Sequence, residues 1–113
     1  MKIAIDSGHN CHPDIGCSGL YPKYPTEDML TKELGKLVIS KLNAKGHEAF
    51  SVTPSSATSV GNSLLKRCNK ANAEDAELYV SLHFNCFNKS ANGTEVYYAS
   101  HPPPYTPLTL PPT

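Results

Sequence analysis

The chain has no excess of charge. Ten Lys and Arg stand against ten Asp and Glu, a formal net charge of zero. That removes the electrostatic case for nucleic acid or an anionic membrane surface as partner. No apolar run approaches the roughly 20 residues needed to span a bilayer. Lys2 precedes an apolar run that breaks at Asp6, so the start of the chain has neither the hydrophobic region nor the small-residue cleavage site of a signal peptide. The expected compartment on synthesis is therefore the cytoplasm. At 113 residues the chain is long enough for one core and too short for two. Apolar residues (39%) and charged residues (18%) are both sparse for a globular protein, yet not sparse enough for disorder. Cys11, Cys17, Cys68 and Cys86 permit disulfides by number, but a reducing compartment favours free thiols. A Cys11–Cys17 bridge would close a short loop and add only about 2 kcal/mol.

What the chain does have is organised around Ile3-Ala4-Ile5-Asp6-Ser7-Gly8-His9-Asn10. The short apolar run reads as a strand buried on both faces, as in a parallel sheet. It ends in a Gly-containing turn with His9 just beyond, at the carboxyl end where open α/β sheets place ligands. Ser7 to Pro25 reads as a long loop punctuated by Gly and Pro. Thr26 is a competent helix cap, with Glu27 and Asp28 in the first turn. Leu30, Leu34, Leu37, Val38 and Leu42 mark the expected buried stripe, and Lys45-Gly46 the helix end. Glu27 shares that inward face, where a carboxylate is costly unless something binds it.

Glu48 to Val52 is expected as a second strand. Ser59 is expected to cap a second helix running to about Glu74, with Val60, Leu64, Cys68 and Ala71 inward. Leu78, Val80, Leu82 and Phe84 alternate as a third strand, with Tyr79, Ser81, His83 and Asn85 on its other face. A turn-rich stretch, Asn88 to Gly93, leads to Thr94–Tyr98, whose β-formers predict a fourth strand, antiparallel because the connection is too short for a crossover. Strands alternating with helices make the fold α/β, with the first three strands parallel. His9 and His83 then share one sheet edge. Residues 101–113 hold six prolines and are expected as an extended, poorly packed tail after a single domain over 1–100.

Two imidazoles and one carboxylate, from His9, Glu27 and His83, match the three N/O ligands that commonly hold a hydrolytic zinc. Separate local roles explain the same residues: a turn histidine, a dipole-compensating glutamate and a strand-end histidine. Cys86 as a thiol nucleophile would need a base, and His83 cannot be one while it binds metal. His9, Cys11, His12 and Cys17 form a rival cluster for structural zinc, though without the spacing of a finger or ribbon. Arg67 reads either as a substrate contact or as a surface ion pair with Glu74 or Asp75. Asn85 is a candidate substrate-binding residue or the end of its strand. Tyr21 and Tyr24 are candidates for a sugar groove or for simple packing.

Five blocks occur in order: the Ile3–His9 run, Thr26-Glu27-Asp28, Arg67 with Ala71-Asn72, Ser81-Leu82-His83-Phe84-Asn85, and Gly93-Thr94-Glu95-Val96-Tyr97-Tyr98. From Lys2 to about Ser100 the chain thereby resembles the zinc-dependent N-acetylmuramoyl-L-alanine amidases of the amidase 3 family, which includes autolysins and phage endolysins. The resemblance implies a mixed, mostly parallel sheet flanked by helices, of the phosphorylase/hydrolase-like amidase type. It implies one zinc ion on His9, Glu27 and His83. The implied partner is bacterial peptidoglycan, met at the cell wall after release or export. The implied reaction is hydrolysis of the amide between N-acetylmuramic acid and L-alanine, by a protein expected to be monomeric.

Family members continue past the Val96-Tyr97-Tyr98 strand to a further glutamate that serves as general base. No glutamate follows Glu95 here. The expectation is thus a chain lacking the C-terminal part of the fold, with an intact zinc site and impaired hydrolysis. Glu95 is a substitute base or a structural strand residue. The alternatives are an inactive, zinc-holding remnant that binds cell wall, and a fragment with too little sheet to fold stably.

Overall fold

The central strand β1 (Lys2–Ser7) is flanked on one side by β2 (Glu48–Ser51) and on the other by β3 (Leu78–Leu82), in the order β2-β1-β3. Both pairings are parallel, with Ile3 opposite Ala49 and Leu78, and Ser7 opposite Leu82. The computed structural model describes residues 1–10, 26–84, 93–99 and 102–107. Tyr21, Tyr24, Asn85 and the cysteines 11, 17 and 86 lie outside the described residues, as do His12 and most of the Asn88–Gly93 stretch.

Ile3 to Ser7 are all buried, as a strand covered on both faces must be. The period of two sorts them. Ile3 and Ile5 join Ala49 on the face covered by helix α1 (Glu27–Ala44), where Val38, Ile39, Leu42, Val80 and Leu82 pack against them. Ala4 joins Val52, Ala71 and Ala76 on the opposite face, beneath helix α2 (Val60–Ala73), with Phe50, Tyr79 and Tyr105 alongside. Each buried isoleucine contributes about 1.5–3 kcal/mol of transfer free energy.

The helix ends follow local chemistry. Thr26 is the N-cap of α1 by position, but its hydroxyl goes to the Asp28 side chain rather than to the backbone. Gly46, at φ +91°, closes α1 in a Schellman arrangement: its N–H donates to Asn43 O and that of His47 to Leu42 O, each at 3.1 Å. Ser59 caps α2 by accepting from the Asn62 N–H at 3.0 Å.

Four expectations are corrected. The buried side of α1 runs through Glu27, Thr31 and Gly35, while Leu37 is 54% exposed. α2 buries Ser63, Arg67, Cys68 and Ala71 and leaves Val60 and Leu64 exposed. Residues 94–98 adopt no strand among the described residues, and Val96, Tyr97 and Tyr98 are exposed. The proline-rich segment is packed at one point: Tyr105 N donates to Asn72 Oδ1 and Asn72 Nδ2 to Tyr105 O, both at 2.7 Å. The Tyr105 ring lies 5.5 Å from that of Tyr79, and its hydroxyl reaches Ala76 O at 3.2 Å. A single aromatic anchor needs no regular structure around it, so proline density does not prevent it.

Candidate metal centre

The carboxyl ends of β1 and β3 are tied together beyond the last ladder pair, where the Gly8 N–H donates to Leu82 O at 2.9 Å. That bond sets His9 and His83 side by side, with ring centroids 5.1 Å apart and planes at 88°. Close approach at this point requires glycine at position 8. His9 and Asn10 then turn the chain in the left-handed region, at φ 63° and 58°. Such a conformation costs a non-glycine residue about 1–3 kcal/mol and persists only where its surroundings determine it.

Those surroundings are specific. Gly8 O accepts from Thr31 Oγ1 at 2.8 Å and Asn10 Nδ2 at 3.0 Å. Asn10 Nδ2 also donates to Thr31 Oγ1 at 2.6 Å. Thr31 and Gly35 sit one turn apart on α1, and the small Gly35 lets the helix close on Ser7, whose Oγ occupies the space a Cβ would need. The first turn of α1 therefore lies directly over the end of β1.

Glu27 opens that turn, only 5% exposed. Its Oε2 lies 3.1 Å from His9 Nε2 and its Oε1 3.0 Å from His83 Nδ1, and Oε1 also accepts the Phe84 N–H at 3.1 Å. The positive end of the helix dipole favours the carboxylate there. The three side chains offer ligand atoms within 4.8 Å of one another. A ring nitrogen facing a carboxylate oxygen at 3 Å needs a proton or a cation between them, because two lone pairs would otherwise meet. The donor set can therefore hold a metal ion with two neutral imidazoles and one charged oxygen.

Arg67 is not the surface ion-pair partner of Glu74 or Asp75. It is 2% exposed and paired with Asp6, 61 residues away in sequence. Glu74 instead meets Lys2 at 3.3 Å on the surface. Nη1 of Arg67 also donates to Ser7 O at 2.6 Å, Nη2 donates to His9 O, and Nε to Ser63 Oγ at 3.2 Å. Ser81 Oγ donates to the other Asp6 oxygen at 2.9 Å. Sequence reasoning missed Asp6, Thr31 and Ser81. The available signal was the four-residue spacing of Ser63, Arg67 and Ala71, one small-or-polar helix face.

Beside this network, burial and then the Asp6 carboxylate push both the Tyr79 phenol and the Cys68 thiol upward. Cys68 is a free, buried thiol. Glu95 is exposed, accepts the Tyr97 hydroxyl at 2.9 Å, and is not in the His9–Glu27–His83 group.

Three known proteins resemble the chain over most of its length. The N-acetylmuramoyl-L-alanine amidase LytC of Bacillus subtilis is 37% identical over 97 residues, 85% of this chain and 18% of LytC. An uncharacterized 38.4 kDa protein of Clostridium perfringens is 34% identical over 90 residues, 79% of this chain and 25% of its own length. Another uncharacterized protein, from Clostridium perfringens strain 13, is 33% identical over 85 residues, covering 75% and 23% respectively. The chain thus spans a quarter or less of these relatives. A family model matches residues 3–108, taking in β1, both helices, β3 and the Tyr105 anchor. With that match laid over a parallel sheet whose carboxyl edge gathers His9, Glu27 and His83, the chain belongs to the amidase 3 family, the N-acetylmuramoyl-L-alanine amidases.

Proposed function

We propose that this chain is the zinc-holding part of a peptidoglycan amidase, acting on the amide between N-acetylmuramic acid and the L-alanine of the stem peptide. The observation that carries the reading is the buried Glu27 carboxylate between two imidazoles at 3.0 and 3.1 Å. In a tetrahedral site with bonds of about 2.0–2.1 Å, neighbouring ligand atoms sit about 3.3 Å apart. His9 Nε2 and His83 Nδ1 each lie close to that spacing from a different Glu27 oxygen. The family membership and the likeness to LytC supply the substrate class.

His9, Glu27 and His83 would hold the ion. When bound, zinc lowers the pKa of a water to about 7 and polarises the scissile carbonyl. The chain's own part is to fix the donor set. The Phe84 N–H orients the Glu27 carboxylate, and the turn at His9 aims its Nε2 at Glu27. Removal of the water's proton calls for a general base, a contribution typically worth about 10²–10⁴-fold. Among the described residues no second carboxylate joins the group. A second reading is a domain that holds zinc and binds wall without hydrolysing it.

The test is metal content by elemental analysis of purified protein, run beside digestion of peptidoglycan sacculi. One zinc per chain with release of L-alanine-terminated peptides supports the amidase. One zinc with sedimentation on sacculi and no release supports the binding domain. Chains without stoichiometric metal overturn both.

A further inference from the structure

We infer that Arg67 is a positioning residue for the metal centre: its buried guanidinium holds the left-handed turn that aims His9 at Glu27. This rests on the metal-site reading given above.

The argument begins with the alternation of backbone carbonyls. Ser7 O and His9 O, on either side of Gly8, both converge on Arg67, at 2.6 Å from Nη1 and in contact with Nη2. Gly8 O goes instead to Thr31 and Asn10. The peptide units on both sides of His9 are therefore fixed by different elements, that of Gly8 O by α1 through Thr31 and that of His9 O by α2 through Arg67. His9 sits at φ 63° between them.

Stability alone does not account for the arrangement. A buried ion pair often contributes no more than apolar residues of equal volume would. Here Asp6 neutralises the cation, Ser81 satisfies the second Asp6 oxygen, and Ser63 fixes Nε. The planar fork then reaches two carbonyls at a fixed separation, which an ammonium cannot do. Groups that orient metal ligands in this way are typically worth 10–100-fold in metal affinity.

The experiment compares the full chain with Arg67→Lys, Ser63→Ala and Tyr105→Ala. Zinc affinity is read by competition with a chromogenic chelator, the cobalt-substituted proteins by their visible absorption, and folding by the thermal midpoint. Arg67→Lys keeps a cation beside Asp6 and is expected to bind zinc about tenfold more weakly, with an altered cobalt spectrum. Ser63→Ala removes only the Nε contact and is expected to weaken zinc two- to fivefold. Tyr105→Ala, whose contacts are to Asn72, Ala76 and Tyr79, should lower the midpoint without changing affinity or spectrum. A folded Arg67→Lys protein with parental affinity and spectrum overturns the inference. If Arg67→Lys fails to fold, the folded Ser63→Ala protein decides, and parental affinity there overturns it equally. A parent that binds no stoichiometric zinc overturns the metal-site reading and this inference with it.

Discussion

A Cβ placed on Gly8 would lie 2.6 Å from Nδ1 of His83 and 2.7 Å from the carbonyl oxygen of Leu82. The imidazole could turn away, but the Leu82 carbonyl belongs to the strand and accepts the Gly8 N–H. Gly8→Ala should therefore push β1 and β3 apart beside His9 and His83. The expected cost is about 1–3 kcal/mol of unfolding free energy, the usual range for overpacking, with loss of zinc binding. Gly61→Ala, at an exposed position in the first turn of α2 with only Ser59 Oγ near the added Cβ, at 3.9 Å, is the control and should not lower stability. Urea unfolding of the two variants checks this.

Glu27→Gln preserves the shape of the side chain and an acceptor for the Phe84 N–H, and removes the charge between the imidazoles. Zinc should add stability to the parent and almost none to the variant. At a free zinc concentration 100 times Kd the gain is about 2.7 kcal/mol. Thermal midpoints with zinc and with EDTA measure it. Equal zinc-dependent shifts in both proteins would show that the ion binds elsewhere.

Burial, then the Asp6 carboxylate, raises both Tyr79 and Cys68 in the folded protein. In the unfolded chain these groups titrate at about 10 and about 8.5. Above those values the unfolded state binds fewer protons than the native state, so stability falls as pH rises. The contribution is intact below pH 8.5 and is lost progressively above it. Each group adds a slope of at most about 1.4 kcal/mol per pH unit. Cys68→Ala should flatten the decline that begins near pH 8.5, and Tyr79→Phe the part above pH 10. Denaturant midpoints from pH 7 to 11 give the comparison.

How far the sequence disclosed this fold depended on the range of the interaction concerned. The Ser59 cap and the Gly46 helix end rest on contacts a few residues long, and both were readable. The convergence of His9 and His83 followed from topology, since parallel neighbouring strands end at one edge. The face of α2 was misread because hydropathy counts Arg67 as a solvent residue. Its partner Asp6 lies 61 positions away, and that pair turns Val60 and Leu64 outward. Thr94–Tyr98 has the side chains of a strand, but strand propensity expresses packing against neighbours, and the segment has no ladder partner among the described residues. In the tail, proline density hid one tyrosine whose ring and backbone find Tyr79 and Asn72.

That tyrosine carries the last prediction. Tyr105 covers the cluster of Ala4, Val52, Ala71 and Ala76, a set of small side chains that leaves the α2 face of the sheet thinly padded. Tyr105→Ala should expose this cluster and orphan Oδ1 and Nδ2 of Asn72 only if the backbone also lifts away. The ring alone is expected to be worth about 1–3 kcal/mol, below the 3–5 of a fully enclosed aromatic because Tyr105 is half-buried. Asn72→Ala removes the backbone clamp and should cost a further 1–2 kcal/mol at most, about one or two net hydrogen bonds. The double variant should lose less than the sum, since either change frees the segment that the other group holds. Urea unfolding of the four proteins closes the cycle, and strict additivity would mean that ring and clamp act independently.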